Sequence, residues 1–486
     1  MDPTIAAVLG SAGQARGRQL AANVMTALAD SATDPRKGSP GVLLAGLMWL
    51  AVALLPITGL AGIGAFGELK GSASVYVFVL LIVTSLATAS SRILIPRPLF
   101  VFLNCLLVWL AVTTAVNFPE IATSMFHGRS GLNKLATSSA VVIFGMAITI
   151  SCLGLLRRVS DVENLFVHPL VVAVVACAIF ALPEVWSWFS PAGELIYRFS
   201  TGLFHTADDE QGRVAGRLIS LAFEAPDLSY FCGFACPWML FAYRLHTIDQ
   251  PSLARRLAAG IPLAFGIIAL LLSNSRTGLL MLGGLIFAEL IYWIGLRALH
   301  LGMVALLAIV PAVAATGLVP VLALGNVAKA VNDGDVSTIS RLALFSAQLS
   351  IFKANPVFGV GFGQFGFHAG SVLPSWAWDS YEVVRWFETV GDLPPTFNVP
   401  GRLAAELGLP GLMIWFGFWL WAIVRITRSA GQLPRRSTVN YLNAALFGSI
   451  ISLLAGGTSN DAFRRPETWI LIAIVSLHAG RTEKVP

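Results

Sequence analysis

The sequence predicts an all-α polytopic membrane protein with about twelve transmembrane helices and a large polar loop that carries amphipathic helices. Three observations predict it. Of the 486 residues, 56% are hydrophobic and only 12% charged, against about 25% charged in a soluble domain. Apolar runs close to the roughly 20 residues that a bilayer core requires recur along almost the whole chain. Polar residues collect in a few connecting stretches, of which 320–402 is by far the longest.

Taken in order, the runs at 41–62, 73–90, 98–117, 136–156 and 165–183 are free of carboxylates, lysine and arginine. The sixth, 219–243, has its first turns interrupted by Glu224, Pro226 and Asp227. Runs 257–273 and 278–296 flank the polar string SNSRTG, and the second of them holds Glu289. Runs 299–319, 403–424, 439–457 and 466–479 complete the set. The expected divisions are a tail over 1–40, a bundle over 41–319, a cap over 320–402, three last helices over 403–480 and a short tail over 481–486. No internal repeat is visible.

Two connections are long. The first, 184–217, carries Trp186, Trp188, Phe189 and Tyr197 and then the acidic run Asp208-Asp209-Glu210. The second, 320–402, is too long to be structureless in a compact protein and is expected to fold as a cap. Within it, Leu342, Phe345, Leu349 and Phe352 share one face of a helix expected over 340–353, ending before Asn355-Pro356. That helix is expected along the outer leaflet or over the bundle.

Orientation follows from charge. With the N-terminus inside, the inner segments hold 18 of the 32 basic residues and 7 of the 26 acidic ones. Both termini are therefore expected in the cytoplasm, and the basic balance reports topology with no nucleic-acid partner implied. All five cysteines fall inside spans. Cys232 and Cys236 share a helix face, but no His or carboxylate stands beside them at ligand spacing, so they are expected in the core. No metal and no cofactor are expected.

Arg276 is the most telling residue. It sits in SNSRTG between two runs that can each enter a bilayer, where an arginine is costly unless it pairs or binds an anion. Other arginines gather on the same expected outer side, among them Arg217, Arg341, Arg402, Arg464 and Arg465. The planar guanidinium fork suits phosphate and stays charged in a dry site. The plainer expectation for each is a carboxylate partner or a headgroup contact. For Glu406 that partner is Arg402, four residues before it.

Four segments carry recognisable patterns: RLISLAFEAPDLSYF at 217–231, NSRTG at 274–278, RLALFSAQLSIFKANPVFGVGFGQF at 341–365 and FNVPGRLAAELGLPG at 397–411. In this order and spacing the chain resembles the superfamily of O-antigen ligases and Wzy-type polysaccharide polymerases, which are class-C-like membrane glycosyltransferases. The resemblance implies inverting, metal-independent transfer of an undecaprenyl-diphosphate-linked glycan at the periplasmic face of the bacterial inner membrane. The implied acceptor is another lipid-linked repeat unit for a polymerase, or lipid A core for a ligase. A chain-length regulator protein is a further implied partner.

By resemblance, Arg217, Arg276 and Arg341 match the superfamily's arginines and are expected to grip the diphosphate, with Arg402, Arg464 and Arg465 as further ligands. The superfamily's usual base is the His of an HN pair, and here Phe397 stands in its place before Asn398. Candidates for the missing base are His368, Glu224, Glu406 and Asp461. Trp376, Trp378, Tyr381 and Trp386 are expected as membrane anchors or as platforms for sugar rings. A polymerase is the leading expectation, because the histidine is the firmer hallmark of ligases. The rivals are a lipid-linked sugar transporter, which would need repeats and mid-membrane charges, and a non-catalytic scaffold.

Overall fold

The computed structural model describes residues 40–88, 94–159, 162–202, 204–205, 216–247, 253–294, 336–389, 393–430, 434 and 437–481. The expected tails before Pro40 and after Arg481, the expected span 299–319, the acidic run Asp208-Asp209-Glu210 and the start of the expected cap lie outside these residues.

The described residues are almost entirely helical. Helices α1 (Pro40–Ala53), α2 (Ala73–Ala87), α3 (Arg97–Thr123) and α4 (Gly131–Val159) come first, with a two-stranded turn, Met125–Phe126 against Arg129–Ser130, between the last two. Then follow α5 (His168–Ser187), α6 (Pro191–Thr201), α7 (Ala225–Thr247), α8 (Leu253–Leu272) and α9 (Arg276–Ile294). The cap region contributes α10 (Val336–Ala354), α11 (Phe365–Val372) and α12 (Tyr381–Val384), and α13 (Val399–Ala430), α14 (Thr438–Gly456) and α15 (Pro466–Arg481) end the chain. Among the described residues, six helices are long and apolar enough to cross a membrane, and shorter apolar helices lie at 41–53, 73–87, 256–272 and 466–479. A helix stands at every expected span within the described residues. The first is shorter than expected, because the chain turns at residues 54–56 before a short 3-10 segment at Gly64–Leu69 that is kinked at Gly67.

Between lipid-solvated helices, close packing rather than water exclusion holds a bundle together, and small residues permit it. Gly145 of α4 lies under the indole of Trp469, where a Cβ would come within 2.1 Å of the ring. Thr149 one turn on donates to the Trp469 carbonyl at 2.9 Å. Gly233 of α7 and Gly456 of α14 both face the Met281 side chain of α9. One large core runs through these contacts.

The helix expected to display Leu342, Phe345, Leu349 and Phe352 instead buries Ser340, Ala343, Leu344, Ala347, Gln348 and Ile351. Small residues and Gln348 allow α10 to sit close on α13, where Asn398 Nδ2 donates to Gln348 Oε1 at 2.8 Å. Leu342, Phe345, Leu349 and Phe352 are half-buried on its flanks. A small apolar cluster of Leu344, Ala347, Ile351, Val360, Phe365 and Ala369 closes around Ala405 of α13.

Two of the four sequence patterns prove to be halves of one joint. Gly408 breaks α13 with φ +65, and Pro410 within the same helix has no amide hydrogen. The break frees the carbonyls of residues 405–407 from their helical partners. Val360 N donates to Ala405 O at 3.0 Å, Gly361 N to Glu406 O at 3.0 Å, and Trp109 Nε1 to Leu407 O at 2.8 Å. In return, Leu409 N donates to Pro356 O at 2.8 Å. A Cβ on Gly359 would lie 2.5 Å from Glu406 O, and one on Gly408 would lie 2.1 Å from Val357 O. The glycines of GVG and ELGLPG therefore allow two backbones to touch.

Candidate functional site

At one end of the bundle lies a cavity of about 790 Å³, bounded by residues 64–70, 129–137, 363–366, 382–386, 393–397, 402–406 and 461–464, with Glu224 and Arg341 on its wall. Every one of these segments comes from a connection, or from the helix start beside one, that the charge balance puts on the expected outer side. Seven basic residues line it against five acidic ones, so the space favours an anion.

One wall is a buried ionic frame. Arg402, in the first turn of α13, donates from Nε to Glu406 Oε2 at 3.0 Å and from Nη1 to Asp461. Its guanidinium lies over the rings of Phe362 and Phe463, 4.7 and 5.5 Å from their centroids. Arg464 stands 3.8 Å from Asp461 and 4.0 Å from Glu68, and Lys134 pairs Glu68. Burial pushes the Glu68 carboxyl up, but Lys134, Arg464 and Arg402 outweigh it and hold its pKa at about 2. Removing one member of the buried trio Arg402, Glu406 and Asp461 costs about 3–5 kcal/mol, because a charge is left without a partner. The frame ties four separate connections together.

A second part of the wall is built differently. Arg341, near the start of α10, lies 4.9 Å over the Phe397 ring, and Trp386 meets the same ring at 5.7 Å. Ser340 beside it donates to Glu382 Oε2 at 2.5 Å. Burial and the nearby charges of Arg276 and Arg217 lower the pKa of Arg341, opposed by Glu382 and Glu224. The guanidiniums of Arg276 and Arg217, from two distant segments, therefore sit within electrostatic reach of Arg341. Of the three, only Arg341 lines the cavity itself.

Arg276 opens α9. Asn274 before it takes a left-handed φ of +43, and Ser275 caps the helix by accepting from Gly278 N at 3.0 Å. Ser275 and Ser273 also share Ser229 Oγ, at 2.6 and 2.7 Å, which pins this turn to α7. Glu224 precedes α7 at the cavity wall. Among the described residues its carboxylate forms no direct hydrogen bond or ion pair, in contrast to the framed carboxylates. Burial and the neighbouring Asp227 raise its pKa, opposed by Arg341, Arg465 and Arg464. Its side chain is exposed and opens onto the cavity.

Several expected site residues stand elsewhere. Arg465 pairs Asp227 and lies 5.3 Å over the Tyr230 ring, outside the cavity lining. His368, on α11, faces Glu120 with Nδ1 3.6 Å from Oε1 and does not line the cavity. Tyr381 is largely exposed, Trp378 packs on Phe387, and Trp376 joins a small cluster around Ala377 and Val383. Of the four aromatic candidates, Trp386 alone lines the cavity. Glu68 and Lys134 were not anticipated, since a lone Glu and a lone Lys in short connections carry no sequence signal.

A bundle of helices long and apolar enough to cross a membrane, with a cavity at one end lined by more basic than acidic residues, defines a multi-pass membrane protein. Residues 261–416 match the family described as O-antigen ligase, Wzy_C. That match supports the O-antigen ligase and Wzy-type superfamily, and with it glycosyl transfer of the ligase or polymerase kind in general. The matched stretch runs from α8 through the cap into α13 and includes Arg276, Arg341, Arg402 and Glu406. No curated protein matches the chain.

Proposed function

We propose that this protein transfers a glycan from an undecaprenyl-diphosphate donor to a lipid-linked acceptor glycan, polymerising repeat units of a surface polysaccharide. In this reading the cavity faces the periplasm of a bacterial inner membrane and both termini are cytoplasmic. The observation that carries it is Arg341 on the cavity wall, with Arg276 and Arg217 within its electrostatic reach, beside Glu224, whose carboxylate forms no direct hydrogen bond or ion pair among the described residues.

The step is a single displacement. An acceptor hydroxyl attacks the anomeric carbon, the bond from that carbon to the phosphate oxygen breaks with its electron pair leaving on the diphosphate, and the hydroxyl proton passes to Glu224. The arginines act where negative charge grows, which lowers the barrier more than it aids ground-state binding. A raised carboxyl pKa suits Glu224 to accept a proton, because a base works best with a pKa near the operating pH. Trp386 offers a ring face to a sugar. Arg402, Glu406, Asp461, Arg464 and Glu68 hold the cavity's shape, and Arg464 reaches its lumen. The reaction so drawn needs no metal, since guanidinium groups supply the positive charge.

A second reading is ligation to lipid A core, favoured by the description of the matched family as O-antigen ligase. Reconstitution with a synthetic undecaprenyl-diphosphate oligosaccharide tests both. A ladder of longer lipid-linked products supports polymerisation, and transfer solely to a lipid A core acceptor replaces it with ligation. No transfer to either acceptor overturns the glycosyl-transfer reading.

A further inference from the structure

We propose that Glu184 is a positioning residue that sets the spacing between Arg217 and Glu224, an inference that rests on the function proposed above. Glu184 lies near the C-terminal end of α5 and is 3% exposed. Its two carboxylate oxygens accept from consecutive backbone amides, Ile219 N to Oε1 at 2.8 Å and Ser220 N to Oε2 at 2.6 Å. Ser220 is held at φ +51, a left-handed conformation that a serine rarely adopts. Its hydroxyl donates to Cys177 O at 2.7 Å, back on α5.

These bonds grip the middle of residues 217–224, which are not helical but are tied down on every side. Leu218 N donates to Leu272 O at 3.1 Å, and Phe223 N to Thr58 Oγ1 at 2.9 Å. Arg217 begins this stretch and Glu224 ends it. A neutral side chain at 184 would leave a buried amide unmatched, and Ser220 would relax from its strained conformation. Because the strain sits between the two functional groups, its release changes their separation. Glu184 does not line the cavity and acts through the segment it holds.

The test uses Glu184→Gln in the full-length protein, reconstituted with the donor oligosaccharide after wild-type transfer has been recorded. Transfer is expected to fall 10- to 100-fold in kcat, with the protein still monodisperse. Two further variants separate positioning from a general structural defect. In an Arg217→Ala background, Glu184→Gln is expected to add less than 3-fold, because the group it positions is already gone. Ser220→Gly, which adopts the left-handed conformation without strain, is expected to restore at least 10-fold of the activity lost in Glu184→Gln. A full independent loss on top of Arg217→Ala overturns the inference, as does wild-type turnover in Glu184→Gln. If Glu184→Gln does not fold, an inactive but folded Glu184→Gln/Ser220→Gly protein overturns it as well. Absence of transfer in the wild type would instead count against the proposed function.

Discussion

Replacing Gly359 by alanine should damage this protein far more than the loss of one glycine ordinarily does. At φ +62 an alanine costs about 1–2 kcal/mol in backbone strain. Its Cβ would also lie 2.4 Å from the Glu406 carbonyl carbon, a backbone atom that cannot rotate away. Overpacking of that kind adds about 1–3 kcal/mol, so the joint should lose about 2–5 kcal/mol in all. Should the loop back off instead, the Val360–Ala405 and Gly361–Glu406 hydrogen bonds break, leaving carbonyls that each cost about 1–3 kcal/mol when unpaired. Gly128→Ala is the matched control, because Gly128 also has a left-handed φ, of +80, but a Cβ there meets nothing within 4 Å. Thermal unfolding of the detergent-solubilised protein, followed by tryptophan fluorescence, should rank Gly359→Ala well below Gly128→Ala, with glycan transfer falling in parallel. If the two variants unfold together, the joint is not what these glycines serve.

Three other outcomes follow from the site. Arg276→Ala should abolish transfer at normal expression, and Arg276→Lys should fail as well, since an ammonium cannot reproduce a planar fork; near-normal turnover in the lysine variant would show that charge alone suffices. The acid limb of the transfer rate should lie above the ordinary Glu value of 4.5, because Glu224 must be ionised to accept a proton and its pKa is raised; Glu224→Gln should remove the limb along with at least 100-fold of the rate, and an unchanged limb would assign it to another group. Glu68 is depressed from 4.5 to about 2, so its stabilising contribution is complete above 4.5 and is lost as the pH falls toward 2; Glu68→Gln should therefore unfold earlier than wild type at pH 7, and the gap in unfolding temperature should close between those two values.

Helix positions were legible because each span must satisfy its own backbone in lipid, which forces long apolar runs that stand out from their flanks. The pairing of Arg402 with Glu406 was legible too, as neighbours four residues apart share a helix face. The rest of the frame was not. Asp461 and Glu68 meet Arg402 and Arg464 only because four connections converge at one end of the bundle, and nothing local to any of them announces it. The buried face of α10 was misjudged because Leu and Phe were weighted above Ala and Ser, whereas close approach to α13 selects small side chains. The break at Gly408 and Pro410 was visible as residues, but its partner, the 359–361 backbone, required coordinates. Phe397, conspicuous in sequence for the imidazole it lacks, turns out to lie flat beneath Arg341.

On the proposed reading, Arg341 on the cavity wall, with Arg276 and Arg217 within its electrostatic reach, bears on what happens after transfer. A carrier lipid that has shed its sugar ends in a terminal diphosphate with one more negative charge than the glycosylated form. The same cations would therefore hold the spent carrier more tightly than the fresh one. On the proposed reading, throughput becomes a matter of clearance: turnover in a closed vesicle should slow as the naked lipid accumulates, and adding a phosphatase that trims it to the monophosphate should restore the rate.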